Sequence, residues 1–311
     1  MSDRKPLYSF WGPRYWPTWI GLAVLRLICL LPHRLTMGLS RLLGRLAHRL
    51  AGTRRAIVRR NIELCFPDFS TEERDTMARR HFDALGMSLI EMGLARWASD
   101  RLHLRIGKVQ GFEHVEKPLA EGKGIILLSA HFTTLEISGR EMALRLPAFD
   151  AVYRKNRSEF ITELQRTGRE VSAADTIEKR DIKKMVRNLR KGRPVWYAPD
   201  QSYSSKGSEV IPFFGVPSMH TTATSTLARL GNAVTIPFFS RRNDDGTYTH
   251  QIYPPLKNFP SGDLVADTKQ YVRVLEEHIR TCPEQYFWLH RKFKNLPEGY
   301  PDYYSDLDAL K

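Results

Sequence analysis

Cysteine is scarce in this 311-residue chain, which contains only Cys29, Cys65 and Cys282. The three are odd in number, far apart and not arranged as a C-x-x-C pair, so neither a disulfide framework nor a cysteine-based zinc site is expected. This cysteine usage fits a reducing compartment better than an oxidising one. The sequence therefore predicts buried thiols that take no part in chemistry.

Acidic residues are also under-represented. Aspartate and glutamate number 34 against 48 lysines and arginines, which gives a formal net charge of +14 and a pI near 9.8. So basic a chain favours anionic partners, namely nucleic acid, anionic lipid or an acidic protein, and charge alone does not choose among them.

Residues 51–311 contain no internal repeat, no low-complexity tract and no evident linker, so we expect them to form one domain.

A long uninterrupted apolar run is missing. The most apolar stretch, WPTWIGLAVLRLICLL at residues 16–31, is shorter than the roughly 20 residues that span a bilayer, and Arg26 interrupts it. An aromatic cluster of the kind found at membrane interfaces opens it. No signal-peptidase site follows, so a secretory signal is not expected. The sequence predicts a membrane-anchoring helix within residues 1–50, and leaves open whether it spans the bilayer or lies in it.

The next segment has no acid at all. Residues 34–60 carry eight arginines, and leucines recur between residues 35 and 50 at helical spacing. A basic amphipathic helix beside an apolar segment is typical of binding to a membrane surface, with the arginine-rich side in the cytoplasm. The alternative is an ordinary helix whose leucines face the core and whose arginines face water.

Strand-like and helix-like segments alternate through the rest of the chain. This alternation predicts an α/β fold with a largely parallel sheet. A cap at Ser70, followed by Glu72 and Glu73, predicts the start of a helix over residues 71–98. Further helices are expected between residue 130 and residue 146 and over residues 159–170, 182–191 and 268–282. Strands are expected at residues 124–130, 151–153, 194–198, 233–239 and 285–289.

The sequence AHFTTLE, residues 130–136, is the strongest chemical signal. His131 ends an apolar strand candidate, and Glu136 follows five residues later, so a strand-to-helix turn could bring the two together. A neutral imidazole can remove the proton of a hydroxyl nucleophile, and a carboxylate behind it fixes the tautomer and stabilises the imidazolium. The alternative is a structural histidine at a strand end, with Glu136 as a favourable charge at a helix N-terminus.

Several motifs in order along the chain resemble the late acyltransferases of lipid A biosynthesis in Gram-negative bacteria, which belong to the glycerolipid acyltransferase superfamily. The resemblance is greatest to the lauroyl-transferring type and covers nearly the whole chain. The matching stretches are PRYWPTW at 13–19, RRNIELCFP at 59–67, AHFTTLE at 130–136, VYR at 152–154, TGR at 167–169, VWYAPD at 195–200 and PEQYFWLHRKFKNLPEG at 283–299.

This resemblance implies a glycerolipid-acyltransferase-like α/β sandwich with an anchoring segment at residues 1–50 and a catalytic domain at residues 51–311. It implies transfer of a fatty acyl chain from acyl carrier protein to a hydroxyl of a primary acyl chain on a Kdo-bearing lipid A precursor, at the cytoplasmic face of the inner membrane. His131 and Glu136 match the catalytic pair, while Arg154, Arg169 and Asp200 match residues at the substrate site. No metal or cofactor is expected beyond the thioester of the donor.

Two rival functions stay open on the sequence alone. One is another membrane acyltransferase of the superfamily, acting on a glycerolipid or a phosphoinositide mannoside. The other is a basic nucleic-acid-binding protein, which the charge favours but for which no binding motif is present. Neither acyl-chain length nor the acceptor hydroxyl follows from the sequence.

Overall fold

The computed structural model describes residues 4–204 and 207–310. A seven-stranded sheet has the order β1-β9-β8-β2-β5-β3-β4, and β6 and β7 form a separate antiparallel hairpin. Every neighbouring pair in the large sheet is parallel except β8 and β9, so the predicted α/β class with a mostly parallel sheet is confirmed. The strands are β1 Gly107–Gln110, β2 Gly124–Leu128, β3 Asp150–Tyr153, β4 Asp175–Glu178, β5 Pro194–Tyr197, β6 Ser208–Phe213, β7 Val216–Thr221, β8 Ala233–Arg242 and β9 Tyr248–Ile252.

The helices cover both faces of this sheet and extend beyond it at the N-terminal end. They are α1 Trp16–Ile28, α2 His33–Leu50, α3 Gly52–Cys65, α4 Thr71–Trp97, α5 Asp100–Ile106, α6 Glu113–Ala120, α7 Leu135–Ala143, α8 Glu159–Arg169, α9 Ile182–Arg190, α10 Ala223–Gly231 and α11 Leu264–Thr281. The predicted start of α4 is confirmed by a capping box. Ser70 Oγ accepts from the Glu73 amide, and the Glu73 carboxylate accepts from the Ser70 amide.

Strand β2 lies in the middle of the sheet, between β8 and β5. Its sequence, GIILL, is buried at every position, as expected of a parallel strand that is covered on both faces. This explains why its side chains form a continuous apolar run rather than an alternating one. Strand β2 ends at Leu128, so the following residues, 129–134, lie at the edge of the sheet that is formed by the carboxyl ends of the parallel strands.

The prediction of a strand at residues 285–289 is wrong. Pro283–Gln285 forms a 3₁₀ turn, and the residues after it cross the end of β2 without joining the sheet. Their backbone instead bonds to the loop after β2, since Thr133 N donates to Gln285 O and Phe287 N donates to His131 O. Aromatic side chains that suggest a strand are here buried in a packed loop, with Trp288 fully enclosed.

None of the helices in the described ranges is both long and apolar enough to cross a membrane.

Helix α2 turns its leucines away from the protein. Its small residues instead face α4: a Cβ added at Gly44 would overlap the Phe82 carbonyl oxygen, and one added at Gly86 would overlap the Ser40 carbonyl oxygen. This close backbone approach leaves the leucine face on the surface, with exposed fractions from 39% to 76%. The alternative in which those leucines face the core is therefore wrong. The exposed leucines are Leu35, Leu39, Leu42, Leu43, Leu46 and Leu50.

Candidate active site

The site forms at the carboxyl ends of β2 and β5. His131 lies three residues past the end of β2, and Asp200 lies three residues past the end of β5. The two strands are parallel neighbours with Leu128 opposite Tyr197, so their following loops start at the same height on the sheet edge. Side chains that are 69 residues apart in the sequence therefore meet where open parallel sheets commonly place reactive groups.

Asp200, not Glu136, is the carboxylate that contacts the His131 ring. Its Oδ1 lies 2.6 Å from His131 Nδ1, and its Oδ2 accepts from the His131 amide at 3.1 Å and from the Tyr286 hydroxyl at 3.0 Å. Within the described residues, no hydrogen bond joins the His131 ring to Glu136. The bonded Nδ1 leaves Nε2 as the ring nitrogen that can accept a proton from a substrate.

Asp200 is held as an anion. Burial by itself would raise its pKa, but the electrostatic attraction and the hydrogen bonds of His131, together with the Lys292 ammonium, outweigh burial and lower that pKa well below its usual range. The carboxylate is 1% exposed, whereas the His131 side chain is 31% exposed. The pair thus has a buried anionic end and a histidine ring that substrate can reach, which is the arrangement a general base needs.

Glu136 occupies the first turn of α7, as predicted, but it contacts Arg169. Arg169 Nη2 lies 2.6 Å from Glu136 Oε1, and Arg169 Nε lies 3.2 Å from both carboxylate oxygens. Arg169 also donates to the Val152 carbonyl at the end of β3. The site thus contains two separate carboxylate centres. The catalytic role of Glu136 stays a prediction.

Arg154 stands apart from these contacts. It follows β3 and is exposed on the loop that leads to α8. Because β3 pairs with β5, Arg154 belongs to the same edge of the sheet as His131 and Asp200, but no contact joins it to either within the described chain. Its role at the substrate site stays a prediction.

Three residues of the site were not singled out from the sequence. Tyr286 donates to Asp200, Lys292 Nζ donates to the Asp200 carbonyl at 2.5 Å, and the His290 ring lies 6.2 Å from the His131 ring, centroid to centroid. All three belong to the stretch PEQYFWLHRKFKNLPEG, which supported the family resemblance. This motif was therefore the sequence signal that could have identified the three residues. Only the fold brings Lys292 to Asp200, which lies some 90 positions earlier in the chain.

A mainly apolar cavity opens beside Glu136 and Arg169. Its volume is about 300 Å³, and it lies among α1, α4, α7 and α8. Leu25, Phe149, Ala173 and Trp196 form part of its wall, and Gly139 allows α7 to approach the Trp196 ring, which a Cβ there would overlap. A volume of this size falls within the range of small-molecule pockets. The mainly apolar wall suits a hydrocarbon chain, and the polar lining residues include Glu136 and Arg169.

Comparison with known proteins gives a consistent result. Residues 4–295 match the family described as bacterial lipid A biosynthesis acyltransferase. The chain is 41% identical over 294 residues to the lipid A biosynthesis lauroyltransferase of Escherichia coli, covering 94% of this chain and 96% of that protein. It is 36% identical to the lipid A biosynthesis palmitoleoyltransferase of the same organism, covering 94% and 95%, and 27% identical to its myristoyltransferase, covering 94% and 91%.

Proposed function

The chain belongs to the bacterial lipid A biosynthesis acyltransferases, and from that premise we propose that it moves a fatty acyl chain from acyl carrier protein to a hydroxyl of a primary acyl chain on a Kdo-bearing lipid A precursor. It is an acyltransferase acting in lipid A biosynthesis. Laurate or a chain of similar length is the proposed donor group, because the lauroyltransferase shares more identity with this chain than the palmitoleoyl and myristoyl enzymes do.

One observation carries the mechanism: the 2.6 Å contact between His131 Nδ1 and a buried, ionised Asp200. His131 Nε2 removes the proton of the acceptor hydroxyl as its oxygen attacks the thioester carbonyl. The carbon–oxygen bond forms, and the tetrahedral intermediate then expels the donor thiolate. The imidazolium, which Asp200 stabilises, returns the proton to that thiolate, so the products are an ester and a free thiol.

Glu136 stays in the proposed active site with a task of its own. Its carboxylate fixes Arg169 in the cavity wall, and the guanidinium is anchored a second time on the Val152 carbonyl. The thioester end of the donor would lie between this pair and His131, while the hydrocarbon fills the cavity. The catalytic assistance is thus divided between His131 with Asp200 and Glu136 with Arg169.

Direct attack, without an acyl-enzyme, is part of the proposal. Burial raises the pKa of Cys29 to about 11 and of Cys282 to about 12, and holds that of Cys65 well above its usual range. Thiols with such pKa values are almost wholly protonated at neutral pH and are poor nucleophiles. Ser129, Thr133 and Thr134, beside His131, are buried and none lies in a G-x-S-x-G elbow. Donor, acceptor and enzyme must therefore meet in a ternary complex.

The proposed site of action is the cytoplasmic face of the inner membrane. The leucine face of α2 is exposed, α1 also carries exposed apolar residues such as Ile20 and Leu27, and both helices contain arginine. Apolar side chains beside basic ones favour insertion into the headgroup region of an anionic leaflet. The same excess of positive charge, +14 overall, suits an acidic carrier protein and a phosphorylated glycolipid.

The function is tested by purified full-length chain with lauroyl-acyl carrier protein and a Kdo-bearing lipid A precursor. We expect the acceptor mass to rise by one lauroyl ester, and free thiol on the carrier to appear in equal amount. Acid-quenched enzyme incubated with radiolabelled donor alone should carry no label. Transfer only to a glycerolipid acceptor, or a labelled enzyme that passes its acyl group to acceptor, would contradict the proposal.

The membrane contact is tested by flotation with vesicles. Leu42→Glu combined with Leu46→Glu should abolish binding to vesicles rich in anionic lipid, because it places charge on the face that inserts. Leu264→Glu, an exposed leucine at the start of α11, is the matched control and should float like the wild type. Undiminished flotation of the double variant would show that another surface attaches the protein.

A further inference from the structure

Lys292 places a buried cation directly behind the catalytic carboxylate. Its side chain is 3% exposed, its ammonium donates to the Asp200 carbonyl at 2.5 Å, and it lies 4.6 Å from the centroid of the Phe213 ring. A lysine is seldom buried unless a partner offsets its charge. The hydrogen bond of this ammonium goes to a main-chain oxygen, which carries no full charge. The negative charge that compensates the ammonium is therefore the nearby Asp200 carboxylate, which the ammonium does not contact directly.

The other ionisable groups around this ammonium leave Asp200 as its chief counter-charge. Burial keeps His220 neutral by lowering its pKa well below the usual range, keeps the Cys65 thiol protonated by raising its pKa, and raises the pKa of Glu276. Burial also lowers the pKa of Lys292, to about 8, against the opposing effect of Asp200. The lysine is thus largely charged at pH 7. On its far side Asp200 faces His131, and His131 faces His290.

The geometry points to Lys292 as a positioning residue that keeps His131 neutral and available as a base. A lone buried carboxylate against Nδ1 would favour the imidazolium, which cannot accept the acceptor's proton. A cation behind that carboxylate opposes the imidazolium and also fixes the backbone of Asp200. This inference rests on the proposed function for its catalytic meaning, but its electrostatic content concerns His131 alone and is measurable without substrate.

The experiment follows the titration of ¹⁵N-labelled histidine rings in full-length protein by NMR, with His131 assigned from the signal lost in His131→Gln. Lys292→Met removes the charge at similar size. We expect the midpoint of the His131 titration to rise by about one pH unit, which is about tenfold in the imidazolium equilibrium. The acidic limb of the pH–activity profile should rise with it. Lys292→Gln, which keeps a donor for the Asp200 carbonyl, should show the same rise.

Lys257→Met is the matched control, since it makes the same change at an exposed lysine outside the site, and both midpoints should stay in place. An unmoved His131 midpoint in folded Lys292→Met or Lys292→Gln would overturn the inference. If neither variant folds, the ¹³Cε titration of Lys292 in the wild type decides. A Lys292 side chain that is already neutral at pH 7 overturns the inference. A side chain that is charged at pH 7, and whose deprotonation increases the imidazolium fraction of His131, supports the inference. Absence of transfer by the wild type would overturn the proposed function and leave these midpoints readable.

Discussion

Two acidic residues stand at the same edge of the sheet, and their surroundings give them different chemistry. Asp200 is almost wholly buried, contacts the His131 ring and accepts from Tyr286. Glu136 has a side chain that is 25% exposed and contacts Arg169. The first carboxylate can stabilise a positive charge that appears during the reaction, whereas the second already neutralises a permanent one. The acid that contacts the His131 ring is therefore not the acid that shares its sequence motif.

The local reason lies in how each residue reaches the site. Glu136 is the second residue of α7, and Arg169 is the last residue of α8, so the two helix ends are joined by an ion pair in the cavity wall. Asp200 follows β5, the strand hydrogen-bonded to β2, and therefore enters beside His131 from the neighbouring strand. In the proposed mechanism the ion pair between helix ends positions the donor, while the carboxylate beside His131 acts on the proton affinity of its ring.

The largest expected effect comes from removing His131, the proposed base. His131→Ala should lower acyl transfer by about 10²–10⁴-fold while the protein stays folded, because a positioned base contributes about that much. Initial rates of transfer and circular dichroism measure the two properties. His114→Ala, at a partly exposed histidine in α6, is the control and should keep full activity. More than a tenth of wild-type turnover in His131→Ala would show that another group is the base.

Asp200→Asn should come next, with a loss of about 10²-fold. The amide cannot stabilise the imidazolium and can present the wrong hydrogen-bonding group to Nδ1. Removing the negative charge also disfavours the imidazolium, so the acidic limb of the pH–activity profile should move to lower pH. This direction is opposite to that expected for Lys292→Met. Rates measured from pH 5 to 9 give both quantities, and an unmoved limb would show that Asp200 does not act on His131.

Changes at the second centre should cost less and leave that limb in place. Arg169→Lys loses the bidentate contact with Glu136, and Glu136→Gln loses the negative charge of that contact. Each variant should therefore lower kcat/KM by about tenfold, mainly through a higher KM for the acyl donor. The same pH series provides the measurement. If Glu136→Gln instead reproduces both the rate loss and the pH shift of Asp200→Asn, Glu136 acts on His131 during turnover, as the His-x₄-acid motif first indicated.

The smallest effect concerns chain length alone. Ala173→Leu adds three carbon atoms to the cavity wall, so kcat/KM for the longest accepted donor should fall about tenfold, while that for much shorter donors should change little. Competition between acyl donors of different length, read by mass spectrometry of the product, measures this. Ala120→Leu, on exposed α6, is the control. An equal loss for every donor length would indicate general disruption rather than a shortened cavity.

Much of the fold could be read from local patterns. The buried run of β2, the cap of α4 and the alternation of strands with helices predicted a mostly parallel α/β protein, and several motifs in order predicted the family. The strands β1, β4, β6, β7 and β9 were missed, since strands of four to six residues give too weak a period to recognise. The aromatic run near residue 286 led to a wrong strand prediction, because buried loops and buried strands are both rich in apolar side chains.

The sequence by itself placed His131 just after a buried strand, because strand patterning involves only near neighbours in the chain, and the resemblance to a family grouped Glu136, Arg169 and Asp200 with it. Only the tertiary structure decided which acid touches the histidine, since that depends on β2 and β5 lying side by side. It also decided that the leucines of α2 face outward, through the close backbone approach at Gly44 and Gly86. Lys292 likewise reaches Asp200 only through the folded path of the C-terminal loop, because charge and hydrogen bonding act over distance in space and not along the sequence.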